Sequence, residues 1–151
     1  MRRTVLGLLV LAGAVVAQTR PPGVAISELL MAANDPGQAA RLTDQILGIG
    51  LRRPAPRPVV EGFVRSLMAG LAGKQLTRSQ ADDMSRLIVN AAAGTRPNLT
   101  NVHDFRIALA KVGVDEARQD QISRRLIAIG EAVRGPDDLP ARVPLLQRPR
   151  N

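Results

Sequence analysis

The sequence predicts an all-α protein of six short helices: a helical hairpin followed by four helices able to close as a bundle. Three observations predict it. Apolar residues recur at steps of three and four, the spacing of one helix face. Capping residues and glycines punctuate these runs at helix-sized intervals. Alternating patterns of the strand type are weak.

The chain opens on an address. Met1-Arg2-Arg3 is a short basic segment, and Val5 to Val16 is an uncharged run of Val, Leu, Gly and Ala. Small residues at Val15-Val16-Ala17 suit a signal peptidase. Residues 1–17 therefore read as a secretory signal peptide with cleavage between Ala17 and Gln18. The run is too short to span a bilayer of roughly 30 Å as a helix. Arg2-Arg3 also evokes twin-arginine export, but a plain basic n-region accounts for it.

Residues 18–51 are expected to form a helical hairpin small enough to stand apart. Its first helix, Val24 to Ala33, carries Ile26, Leu29, Leu30 and Ala33 on one face. Asp35-Pro36 is expected to start the second: Asp can cap, and Pro suits a first turn. Its stripe is Ala39, Leu42, Ile46 and Ile49, and Gly48 and Gly50 stop it. Residues 52–58 hold three prolines in five positions, which predicts an extended Pro/Arg linker.

The bundle is expected over 59–134. Pro58 opens the third helix, where Val60, Phe63, Val64, Leu67, Met68 and Leu71 make the cleanest amphipathic pattern of the chain. Thr77-Arg78-Ser79-Gln80 is a capping box: the Thr hydroxyl accepts from the Gln80 amide, and the Gln side chain accepts from the Thr77 amide. The fourth helix follows, with Ala81, Met84, Leu87, Ile88 and Ala91 facing inward. Thr100 or Asn101 is expected to cap the fifth, which carries Val102, Phe105, Leu109 and Val112 up to Gly113. Asp115 caps the sixth, with Ile122, Leu126, Ile129 and Val133 on one side. Gly135-Pro136 ends it, and the Pro-rich residues 135–151 read as a flexible tail.

Helices three and four resemble helices five and six. Phe63, Leu67 and Met84-Ser85-Arg86-Leu87-Ile88 parallel Phe105, Leu109, Ile122-Ser123-Arg124 and Leu126-Ile127. A duplication predicts two equivalent hairpins about a pseudo-dyad, with the two Phe rings as the largest core pieces. Any two helix hairpins share such spacing.

Composition excludes several functions. The 151 residues include no Cys, which removes disulfides, thiolate metal sites, iron–sulfur clusters and Cys nucleophiles. One His is too few for the usual imidazole metal site. Two Phe, with no Trp or Tyr, argue against recognition by base stacking. No nicotinamide, flavin or haem fingerprint is present, and no cofactor or metal is expected. The apolar fraction of 45% is that of a folded chain. Removing Arg2 and Arg3 leaves 19 basic against 13 acidic residues, a net charge of +6. Such a surface attracts acidic proteins or anionic lipid; export argues against nucleic acid as the partner.

Candidate chemistry is sparse. His103-Asp104 pairs a base with an acid, but adjacent helical residues point about 100° apart. Asp82-Asp83 lies in a first helical turn, where acids favour the dipole, and Asp137-Asp138 lies in the tail. Glu61, on the apolar third helix, is the carboxylate to inspect for general acid–base work. Asn98-Leu99-Thr100 matches a glycosylation sequon and also reads as a polar turn feeding a helix.

Leu76-Thr77-Arg78-Ser79-Gln80 resembles the LTxxQ motif of small periplasmic helical proteins of the Spy and CpxP type. The resemblance covers five residues and general character; Val114-Asp115-Glu116-Ala117-Arg118, where a second copy would fall, departs from it throughout. It implies a chaperone or stress-adaptor activity without ATP. The surface for that activity is expected at Arg65, Arg78, Arg86 and Arg106, beside Met68 and Met84.

Three function classes stand at this point. The first is a non-enzymatic interaction module of the bacterial envelope or exterior. The second is the chaperone-like protein that the resemblance implies. The third is an enzyme using carboxylate chemistry alone.

Overall fold

A computed structural model describes residues 20–50, 53–95 and 99–135. The signal segment 1–17, residue 51 at the end of the expected hairpin, residue 52 of the linker, Asn98 and the tail from 136 lie outside the described residues. Six helices follow in order: α1 (Pro22–Met31), α2 (Gln38–Ile49), α3 (Arg57–Leu71), α4 (Arg78–Ala92), α5 (Leu99–Lys111) and α6 (Glu116–Arg134). The described residues contain no strand, so the fold is all-α as the periodicity predicts.

The local signals act where expected in three places. Pro58 sits in the first turn of α3, where its missing N–H has no helical acceptor to lose. The capping box closes on α4: Gln80 N–H donates to Thr77 Oγ1 at 3.3 Å, and Thr77 N–H donates to Gln80 Oε1 at 3.0 Å. Asp115 caps α6 by accepting from Arg118 N–H at 3.0 Å.

Three helix starts differ from the sequence reading. α1 begins at Pro22 rather than Val24, because the Pro21-Pro22 pair already has the φ a helix start needs. α2 begins at Gln38 after Gly37, not at Asp35-Pro36. Asp35 turns on itself instead, accepting from Gly37 N–H and Gln38 Nε2, both at 3.0 Å. α5 already includes Thr100 and Asn101, so neither is its cap.

One core takes the apolar stripe of every helix. Ile26 and Leu30 of α1, Leu42 and Ile46 of α2, and Phe63 and Leu67 of α3 are buried in it. Met84 and Ile88 of α4, Phe105 and Leu109 of α5, and Ile122 and Ile129 of α6 complete it. The Phe63 and Phe105 rings pack with centroids 6.3 Å apart and planes tilted by 40°. Thus α1 and α2 bury their stripes in the same core as α3 to α6. α1 lies mainly on α4, and α2 lies on α1, α3 and α4.

The packing also departs from two equivalent hairpins. α5 lies on α6, but α3 packs on α2 and α6 rather than on α4. Gly73, Gly94 and Gly113 adopt φ of +71°, +76° and +84° and end α3, α4 and α5. Asn34 Oδ1 accepts from Gly73 N–H at 3.2 Å, tying the α1–α2 turn to the end of α3.

Candidate functional site

The four arginines singled out in the sequence do not converge. Arg65 is exposed on α3 and has no ion pair among the described residues. Arg78 and Arg86 share the outer face of α4, eight residues apart. Arg78 Nε stands 3.2 Å from Asp82, and Arg86 Nη2 stands 3.7 Å from Asp83. Arg106 lies on α5 and reaches Glu116 at 4.0 Å and Asp120 at 3.8 Å. These pairs are solvent-facing, where each contributes about 0–1 kcal/mol. Of the two methionines expected beside them, Met84 is fully buried and Met68 packs partly against the core.

Arg78 and Arg86 rim an open groove of about 390 Å³ between α1 and α4. Pro21, Gly23, Val24, Ser85 and Val89 line it. Two hydroxyls at this seam are already engaged. Ser27 Oγ donates to Asp82 Oδ1 and Ser85 Oγ to the Gly23 carbonyl, both at 2.5 Å. Asp82 is thus an interhelical acceptor, not one half of a carboxylate dyad.

A second open groove, of about 690 Å³, runs between α1 and α2. Ala25, Leu29 and Ala32 form one wall; Gln38, Arg41 and Gln45 form the other. Gln38 is buried, and its Oε1 has no hydrogen-bond partner among the described atoms. Its Nε2 is spent on Asp35. The Gly37 N–H, then the Gln38 side chain and the Arg41 charge, hold the Asp35 carboxyl below its ordinary value of 3.8.

The remaining candidates are dispersed. His103 and Asp104 are exposed on α5 and point apart. Glu61 is half-exposed on α3 and faces Arg57 at 3.8 Å. Among the described residues, no three His, Asp or Glu side chains gather as a metal site requires. No described helix is long and apolar enough to cross a membrane.

Two residues with the clearest placement escaped the sequence reading. Arg118 and Arg125 of α6 reach across to α3, Arg118 to the Ala69 carbonyl and Arg125 over Gly62. The signal for Arg125 lies in Gly62, a glycine inside an otherwise strong helical pattern, which marks a close approach.

Comparisons with protein-family models, curated proteins and solved structures find no match to this chain.

Proposed function

We propose that this protein is an exported, non-enzymatic helical module that docks on an acidic protein surface through its arginines. The observation that carries this reading is the contrast between its core and its surface. The stripes of all six helices close inward, and Met31 and Ile107 are the large apolar side chains exposed among the described residues. Recognition by such a surface is electrostatic, and the excess charge is positive. Chaperone-like capture would need a wide apolar surface, and Leu76, Thr77 and Gln80 of the LTxxQ match are occupied in burial and capping.

Titration calorimetry with poly-L-glutamate at low and high ionic strength tests the reading. Binding that fades as salt screens the charges supports it. Suppression of client-protein aggregation without poly-glutamate binding would replace it with the chaperone reading. Export is checked separately: the exported chain begins at or near Gln18, and an intact Met1 would overturn that part.

A further inference from the structure

The seam between α3 and α6 brings three arginine positions, 65, 118 and 125, into one row. Two contacts fix its register. Arg118 Nη1 donates to the Ala69 carbonyl at 3.1 Å. Arg125 lies against Gly62 so closely that a Cβ there would stand 2.5 Å from its Nη1. Position 62 therefore faces 125 and position 69 faces 118, so the helices are antiparallel. Residues 62, 65 and 69 follow steps of three and four along α3, which sets Arg65 between the two contacts. Arg118 and Arg125 are seven residues apart, about 10.5 Å along the axis of α6.

The charges of this row are not equally spent. Arg118 shares Asp115 at 3.3 Å, which holds it in place. Glu61 is directed to Arg57. Arg65 and Arg125 have no acidic partner within ion-pair distance among the described residues. Arg125 is nevertheless oriented, because Gly62 leaves room for its planar head against the helix.

Resting on the function proposed above, we infer that this row is the docking site, and that its partner is an acidic α-helix. Carboxylates at i, i+3 or i+4, and i+7 of a helix span the same length of about 10.5 Å. They meet the Arg65 and Arg125 guanidinium groups with paired oxygens, while Arg118, engaged by Ala69 and Asp115, offers its remaining N–H groups. A membrane surface fits less well, because Met31 and Ile107 lie on α1 and α5 rather than beside this seam. Nucleic acid fits less well because both Phe rings are buried, which leaves no aromatic for stacking.

The test uses two stapled helical peptides of identical composition, one with Glu in such a row and one with Glu spread around the helix. Binding to the full chain is read by fluorescence anisotropy. The row peptide binds about tenfold more tightly than the spread one. Arg65→Glu with Arg125→Glu weakens it by more than about tenfold, whereas Arg78→Glu with Arg86→Glu changes it by less than about twofold. Gly62→Ala keeps every charge but displaces Arg125, and weakens binding by about threefold. Circular dichroism and urea midpoints confirm that each variant folds. Equal losses from the two double reversals, or equal affinity for the two peptides, overturn the site while leaving the function reading intact. A seam-dependent preference for anionic vesicles or DNA overturns the acidic helix as partner. Failure of both peptides and of poly-glutamate overturns the function reading itself.

Discussion

The α1–α4 seam and the α3–α6 seam hold by opposite means. Between α1 and α4, two buried hydroxyls cross the interface, Ser27 to Asp82 and Ser85 to the Gly23 carbonyl. Between α3 and α6, the one directed bond, Arg118 to the Ala69 carbonyl, lies on the exposed rim, and the close approach comes from missing side chains: Gly62 admits Arg125, and Gly70 admits Ile122. The first seam is specified by direction, because a hydrogen bond demands an aligned donor and acceptor. The second is specified by volume, because a glycine defines only what must not be there. Damage to the first should therefore be modest per bond, and damage to the second should scale with the volume changed.

Four substitutions sharpen or break that contrast. The largest effect is expected for Phe63→Ala on the α3 side, which empties the space against Phe105 and costs about 3–5 kcal/mol in urea unfolding. Next comes Gly70→Val. Its branched side chain would overlap Ile122, whose Cδ1 is 2.9 Å from the position of a Cβ, at a cost of about 1–3 kcal/mol. Ser85→Ala on the α1–α4 side should cost about 0.5–1.5 kcal/mol, the worth of one hydrogen bond. A loss at Ser85 equal to that at Phe63 would break the contrast.

The smallest effect belongs to Asp35, in the turn that joins the two seams, and it shows only in acid. Its folded-state pKa lies below its unfolded value of 3.8. Its contribution is therefore complete above that value and is lost as pH falls through the folded pKa. Asp35→Asn should flatten the decline of the urea midpoint between about pH 5 and about pH 2. An unchanged acid limb would show that the Gly37 and Gln38 contacts do not bias folding.

Much of the secondary structure was legible, and little of the pairing. The α3 stripe, the Thr77–Gln80 box and the Asp115 cap are local, so their physics lies within a few residues of sequence. Asp35-Pro36 misled because Asp serves a turn as readily as a cap, and only the placement of Gly37 separates the two. Thr100 and Asn101 misled in the same way, since a helix can run through both. The pairing of α3 with α6 leaves no trace in a period of three to four residues. The apparent repeat pointed to α3 with α4 instead. Arg65, Arg78, Arg86 and Arg106 each read as surface charge, and three of them prove to be paired with acids. Arg118 and Arg125 gain their meaning from α3, whose contacting residues Ala69 and Gly62 lie 49 and 63 positions earlier in the chain.

The hydroxyl bonds of α1 also set a timetable. Ribosomes make proteins from the N-terminus, so Gly23 and Ser27 appear long before the residues they bond. The separations are 62 and 55 positions. At about 5–20 residues per second, the first of these intervals lasts about 3–12 s. Throughout it Ile26 and Leu30 have no α4 to cover them. Of the described helices α1 is made first, and it meets its principal neighbour only after α2 and α3 have also been made, an interval in which its apolar face is open to holding factors and proteases.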